Sequence, residues 1–336
     1  MNSTDTTDLT LLVCTFNRST DLGELLETAI RQNIRSTFTY EVLVVDNNST
    51  DNTRDVVMGF MQAGHRQVRY LFEGRQGKSN ALNAGLAAAR GWAYAIVDDD
   101  FLLPANWVET IAEAFSAHPD VSFVSGKVLP YWQAPAPRWL TNQHWSALAL
   151  ADYGDQAFFA DPTRPICLLA CAFRRDHVEA VGGYRADLGV SINAIGGVED
   201  LDILQRLWKA GRRGIYLPHM SFKHKVQPTR LTKSYHRRWH SGHGRFYAAL
   251  RDPDFEQSKA RLFDIPSHVY HEAARRLFAW LRCAIRGAAH DAFAHETRLR
   301  FLFGFARARR RAFVEAGGGT IGDFFAFARA ILSKRL

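Results

Sequence analysis

The run Ala93-Tyr94-Ala95-Ile96-Val97-Asp98-Asp99-Asp100 constrains the fold more than any other stretch of this chain. Ala95, Ile96 and Val97 are apolar without alternation, as in a parallel strand buried on both faces. Three carboxylates follow at the carboxyl end, where open α/β sheets bind ligands in a crevice. Adjacent carboxylates repel unless a cation lies among them, and a hard divalent cation completed by nucleotide phosphates is the natural candidate. A solvated acidic turn is the competing reading, and for an isolated acidic triplet the commoner one.

The residues before this run repeat strand, polar loop and helix. Leu9 to Thr15, Tyr40 to Val45 and Val68 to Phe72 read as strands. Asp21 and Glu24 are spaced as a capping box for a helix with Leu22, Leu25, Leu26, Ala29 and Ile30 on its apolar face. This order argues for a parallel sheet with right-handed crossovers. No Gly-x-Gly-x-x-Gly stands at the first turn and no Gly-x-x-x-x-Gly-Lys-Ser/Thr occurs, which counts against a dinucleotide dehydrogenase and a phosphate-loop ATPase. Glu73 to Asn80 is a glycine-punctuated loop into a small-residue helix, and Lys78 at its start could meet a phosphate beside exposed backbone N–H groups. Pro104 opens a helix over Ala105 to Ala117, followed by a strand over Val121 to Val128.

Between Leu129 and Pro165 periodicity gives way to aromatic residues and prolines, a stretch that reads either as a determinant of substrate preference or as packing. Regularity returns with a strand over Ile166 to Phe173, a short helix from Arg174 and the turn Gly182-Gly183-Tyr184. A second acid cluster, Glu199-Asp200-Leu201-Asp202, enters a helix behind Gly196-Gly197. Glu199 and Asp200 in its first turn either face a ligand or simply complement the helix dipole. Arg213 to Leu217 is a strand, and Pro218 to His224 an extended segment.

A length of 336 residues allows one large core or two modest ones. The formal net charge of +8 points to a polyanionic partner: nucleotide phosphates, an acidic membrane surface or nucleic acid. Cys14, Cys167, Cys171 and Cys283 lack paired spacings, so a reducing, cytoplasmic setting is expected. Met1 to Thr10 has no basic-then-apolar order of a leader, and no apolar run approaches the ~20 residues that span a bilayer. Membrane contact is therefore expected to be peripheral, at the inner face of the cytoplasmic membrane.

With these pieces in order, the chain resembles the family 2 glycosyltransferases, inverting enzymes of the A-type nucleotide-sugar transferase (GT-A) fold. The resemblance rests on Val13-Cys14-Thr15-Phe16-Asn17-Arg18, Val44 to Asp51, Gly77 to Gly85, Val97 to Asp100, Phe173-Arg174-Arg175 with Gly182-Gly183-Tyr184, Val198 to Asp202, and Pro218 to His224. It implies an α/β fold with a Rossmann-like, mostly parallel sheet flanked by helices. Thr15, Asn17, Arg18 and Asp46 would line the nucleobase pocket. Asp98 would meet the ribose or a metal, and Asp100 with His224 would bind Mg²⁺ or Mn²⁺ at the diphosphate, Lys78 sharing the charge. Asp200 would be the catalytic base for the acceptor hydroxyl, Glu199 would position the acceptor or Asp200, and Asp202 would be structural.

Beyond Val226, Arg230 to Arg245 mixes Arg, His and Gly and reads as a mobile basic loop, in which Arg237 or Arg238 would clamp the diphosphate. Tyr235 replaces the glutamine of a Gln-x-x-Arg-Trp motif, so processive synthesis is not expected. His271 to Leu336 holds 13 Lys/Arg against 5 Asp/Glu, with helically spaced apolar residues at Leu277, Trp280, Leu281 and Ala284, at Leu299, Leu302, Phe303 and Ala306, and at Phe324, Phe327, Ala328 and Ile331. Such helices lie on an anionic membrane or pack on the protein or a second subunit. No nucleic-acid module accompanies the charge. The expected organisation is a catalytic domain over 1–226, split into a nucleotide-sugar half at 9–128 and an acceptor half at 129–226, then a linker over 227–270 and a helical extension over 271–336. The expected reaction is metal-dependent transfer from a nucleoside diphosphate sugar, a UDP-sugar foremost, to a glycan or lipid-linked hydroxyl. A sugar-1-phosphate nucleotidylyltransferase and a non-catalytic membrane-associated assembly factor are the alternatives, and homo-oligomerisation is open.

Overall fold

In the computed structural model, which describes residues 7–166, 171–192, 194–253, 255–258 and 260–318, the chain divides into two compact units. The first comprises Met1–Pro135, Leu148–Ile192 and Glu199–Gln227, and the second Ala136–Ala147, Asn193–Val198 and Pro228–Leu336. Two short stretches of the expected acceptor half thus belong with the carboxyl-terminal part, and residues 228–270 are not set apart from those after them.

The first unit begins with β1 (Leu9–Thr15), α1 (Ser19–Ile30), β2 (Tyr40–Asp46), α2 (Thr53–Gln62), β3 (Val68–Phe72), α3 (Lys78–Ala88) and β4 (Ala93–Asp98), the alternation read from the sequence. Strands β3, β2, β1 and β4 pair in parallel. Leu9, Leu11, Leu12, Val13 and Val42 to Val45 are all buried, which is why these strands read as unbroken apolar runs. Then come β5 (Phe101–Leu102), α4 (Trp107–Ala117), β6 (Phe123–Trp132), β7 (Phe158–Ala160), β8 (Cys171–Arg174), α5 (Arg175–Ala180), α6 (Glu199–Lys209) and β9 (Gly214–Val226). Among the described residues the sheet has nine strands in the order β3-β2-β1-β4-β8-β6-β9-β5, with β7 also on β9. It is mixed rather than mostly parallel: β8 runs antiparallel to β4 and β6, and β5 and β7 run antiparallel to β9. The antiparallel pairings after β4 follow the route of the chain through β5 to β9, which the composition of those strands does not show.

The expected capping box on α1 is absent. The N–H of Ser19 donates to Asp51 Oδ2 at 3.0 Å, from the loop after β2. Asp21 and Glu24 instead meet Lys225 Nζ at 3.3 and 2.5 Å. Lys225 is buried, so both acids serve to compensate an ammonium that would otherwise stand unpaired in the interior.

The second unit contains α7 (Lys233–Leu250), the hairpin β10 (Arg261–Leu262) and β11 (Ile265–Pro266), α8 (Ser267–Ile285) and α9 (Ala289–Glu315). Helix α7 occupies the stretch read as a mobile loop. Its glycines serve close approach instead of flexibility: a Cβ on Gly244 would lie 2.0 Å from the Phe301 carbonyl oxygen, and one on Gly304 of α9 would lie 2.0 Å from that of Ser241. Thr232 caps α7, its Oγ1 accepting from Tyr235 N at 3.2 Å. Ala248, Ile265, Val269, Phe301, Leu302 and Phe305 form the core of this unit. The expected apolar faces are only partly buried, since Leu302 is enclosed while Leu277, Leu281 and Phe303 are exposed. Phe324, Phe327, Ala328, Ile331 and Cys167 lie outside the described residues, while Cys14, Cys171 and Cys283 are free thiols. Among the described residues no helix is long and apolar enough to cross a membrane.

Candidate active site

Parallel register assembles the site. Thr15 on β1 stands opposite Asp46 on β2, and Cys14 beside Asp98 on β4, so three polar chain exits emerge at one carboxyl edge. The pairing of Phe101 with His224 between β5 and β9 then brings Asp100 to the histidine: Asp100 Oδ1 lies 3.1 Å from His224 Nε2, both side chains buried. Arg18 Nη1 donates to Asp99 Oδ1 at 2.9 Å and Asp100 Oδ2 at 2.8 Å, and Thr15 Oγ1 donates to Asp99 Oδ2 at 2.8 Å. Burial pushes the Asp99 carboxyl up to about 7 against the pull of Arg18, and the neighbouring Asp100 adds to the rise.

Asp46 is buried at the end of β2, its Oδ2 accepting from the Tyr70 hydroxyl at 2.8 Å and its Oδ1 from Ser49 N at 2.9 Å. Asn17, at φ 51°, turns its amide oxygen to Thr50 N at 2.7 Å, tying the loop after β1 to the loop after β2. Asn47 reaches Gly77 N through Oδ1 at 2.7 Å and Arg75 O through Nδ2 at 2.8 Å, fixing the entry to α3. Neither Tyr70 nor Asn47 was assigned a role from the sequence. Asn47 lies inside a quoted motif, whereas Tyr70 sits in a strand with no local signal.

Lys78 joins the two acid clusters. Its Nζ donates to Asp98 Oδ1 at 2.7 Å. Although burial penalises the ammonium, Asp98 and Glu199 hold its pKa well above the ordinary lysine value. Glu199 is 7% exposed, and its Oε2 has no hydrogen-bond partner among the described residues. Burial raises Glu199 to about 7 against the opposing effect of Lys78, with Asp200 adding to the rise. Asp200 is half-buried, accepts from Leu201 N at 2.8 Å through Oδ1, and is also raised by burial. Asp202 turns to Arg206, at 2.5 and 2.9 Å, in the structural role expected of it. Burial pushes the Cys14 thiol up to about 12, which removes it as a nucleophile at neutral pH.

The sequence profile of glycosyl transferase family 2 matches residues 10–182, half of the chain. The chain belongs to this family. A glucosyl-dolichyl phosphate glucuronosyltransferase of Haloferax volcanii is 24% identical to this family 2 chain over 225 residues, 65% of this chain and 69% of that protein. A dolichyl-phosphate beta-glucosyltransferase of Mus musculus is 33% identical over 118 residues, 33% of this chain and 36% of that protein. An uncharacterized Nostoc glycosyltransferase is 28% identical over 107 residues, 32% of each chain, so the matched part spans about a third of the length of the Nostoc and mouse relatives. Among solved structures, the mannosyltransferase PcManGT from Pyrobaculum calidifontis, in complex with GDP-Man and Mn²⁺, superposes with a TM-score of 0.54 at 21% identity, covering 99% of this chain and 82% of that one. S. aureus TarS in complex with UDP superposes with a TM-score of 0.52 at 15% identity and 92% coverage of both. The fold is GT-A, and the family matched is one of glycosyl transferases, which favours transfer over the nucleotidylyltransferase and non-catalytic readings.

Two sets of expected site residues make contacts of their own in this family 2 chain. Asp98, Asp100 and His224 do not converge as a set: Asp100 and His224 do, whereas Asp98 is paired with Lys78. Among the described residues no group of three or more His, Cys, Asp or Glu is placed to hold a metal ion, and Asp100 and His224 are the two that meet. Arg237, read as a diphosphate clamp on a loop, lies on α7 with its Nε and Nη2 donating to the two carboxylate oxygens of Glu296, at 2.6 and 3.0 Å. Arg238 is exposed on the same helix.

Proposed function

We propose that this glycosyltransferase transfers a sugar, with inversion, from a nucleoside diphosphate sugar to an acceptor hydroxyl in surface polysaccharide or glycolipid assembly at the inner membrane surface. A UDP-sugar is the donor this reading favours. The observation that carries it is Lys78 binding the Asp98 end of β4 while its charge acts on Glu199 and Asp200 at the start of α6. This supports reading the donor-side cluster and the half-buried carboxylate as parts of one substrate site.

Asp200 is the base. It is the more exposed of the two acids, and its raised pKa strengthens it as a proton acceptor. Glu199, enclosed and close to neutral, positions the acceptor or its neighbour. Lys78 shifts from Asp98 toward the diphosphate as charge builds on the leaving group. Asp46, held by Tyr70 and Ser49, presents its remaining lone pairs to a nucleobase N–H, with Thr15, Asn17 and Arg18 around it. Asp100 and His224 would hold Mg²⁺ or Mn²⁺, which supplies charge neutralisation at the departing diphosphate. The Mn²⁺ in the PcManGT complex and the nucleotides in both solved relatives support this reading of the donor side.

The test pairs binding with turnover. UDP-, GDP-, dTDP- and CDP-sugars are offered with Mn²⁺ and with EDTA, and the melting temperature is followed, since a ligand selective for the folded chain raises it. One nucleotide is expected to give a metal-dependent rise that Asp200→Asn retains, while transfer falls by about 10²–10⁴-fold. Full turnover in Asp200→Asn would overturn the assignment of the base.

A further inference from the structure

Helix α8 has two satisfied faces and one unsatisfied one. On its inner side Val269 enters the core of the second unit, and Glu272 accepts from Arg298 Nε and Nη2 at 2.8 and 2.9 Å. Trp280 and Ala284 line a small cavity with Phe293 of α9. The helix is therefore packed, and what remains outside is not the result of a loose end.

What remains outside is apolar and ordered. Ala274, Leu277, Phe278, Leu281 and Ile285 recur at three- and four-residue spacing, which puts them on one stripe. Leu277 and Leu281 are 49% and 45% exposed, and Phe278 and Ile285 reach 68% and 86%. Isolated exposed apolar side chains are ordinary, but a continuous stripe of large ones marks an interaction surface. Arg275, Arg282 and Arg286, all exposed and spaced by seven and four residues, run along one edge of that stripe.

We infer that the exposed face of α8 is a membrane-docking surface that seats its apolar stripe in the interfacial region of a bilayer rich in anionic glycerophospholipid, with Arg275, Arg282 and Arg286 at the headgroups. Apolar surface gains by entering the acyl boundary, and the cationic edge matches the negative surface potential of such a leaflet. A neutral apolar partner would leave the three guanidinium groups without counter-charges. The inference deepens the membrane location proposed above, yet it is read without donor, acceptor or turnover, so it stands or falls separately from the transfer reaction.

The full-length protein is mixed with vesicles of phosphatidylcholine alone and of phosphatidylcholine with phosphatidylglycerol, and bound protein is separated by flotation at low and high salt. Wild type is expected to float with the anionic vesicles at low salt and much less with the neutral ones. Phe278→Glu with Ile285→Glu should lower partition by about tenfold or more, because each buried side chain of this size is worth at least that factor. Arg275→Gln and Arg282→Gln should each cost about fivefold on anionic vesicles and nothing on neutral ones. Both substituted pairs are on the surface, and circular dichroism checks that they are folded. Equal flotation of wild type and the double glutamate variant overturns the inference. So does absence of flotation with a dimer that the same variant converts to monomer in analytical ultracentrifugation, which would assign the face to a second copy of the chain.

Discussion

At the scale of the residue, the site is governed by how burial and charge oppose each other. Asp99 and Glu199 are both raised to about 7 by enclosure, against Arg18 in one case and Lys78 in the other. A carboxyl whose folded-state pKa lies above its ordinary 4.5 favours the folded chain most at low pH, and that contribution is lost as pH rises through 7. Glu199→Gln keeps the shape without the proton. It is expected to flatten the fall in melting temperature between pH 4.5 and 7 and to leave the variant the more stable of the two above pH 7, as read by calorimetry. A parallel fall in both proteins would mean that Glu199 does not bear this proton. Of the residues named from the sequence, Thr15, Arg18, Lys78, Asp98, Asp100, Glu199 and His224 enter two neighbouring clusters. The Arg237 contact was not legible for a physical reason: a basic side chain in a stretch of Arg, His and Gly gives no sign of which carboxylate it will meet, and Glu296 lies 59 residues away.

At the scale of the element, glycine has two meanings that composition does not separate. Gly242 and Gly244 among histidines and arginines suggest a flexible loop, yet they lie inside an 18-residue helix that needs them for contact with its neighbours. Gly244→Ala and Gly304→Ala would each force a methyl group onto a carbonyl 2.0 Å away, and each should cost about 1–3 kcal/mol or more by chemical denaturation. Gly59→Ala, inside α2 with nothing within 4 Å, should instead stabilise by up to about 1 kcal/mol through helix propensity alone. Opposite signs from one chemical change would separate packing glycines from merely tolerated ones.

At the scale of the whole molecule, the second unit holds a buried histidine cluster that makes it sensitive to acid. His236 and His240 are lowered to about 4 and about 3, first by burial and then by neighbouring histidines, His144 beside the former and His243 beside the latter. A histidine with a depressed folded-state pKa stabilises the fold above its ordinary 6.5, and that stability drains away as pH falls toward 4. The second unit is therefore expected to lose helical circular dichroism signal as pH falls from 6.5 toward 4. His236→Phe, placed against Trp139, should move the acid midpoint to lower pH. An unmoved midpoint would show that other groups control the acid transition.

The sequence by itself determined the alternation of strands and helices from β1 to β4, because apolar runs buried on both faces and amphipathic helices have distinct periods. It also determined the order of the motifs, and with it the family and the fold. Tertiary structure alone decided how those motifs meet. The register of β5 on β9 put His224 on Asp100, Lys78 took Asp98 out of that pair, and Tyr70 reached Asp46 from a strand that carried no mark of it. It likewise made a helix of the basic stretch and left α8 with an exposed stripe. Local periodicity is a property of a dozen neighbouring residues, whereas ion pairs, strand direction and the burial of a helix face depend on residues brought from far along the chain, which no local pattern encodes.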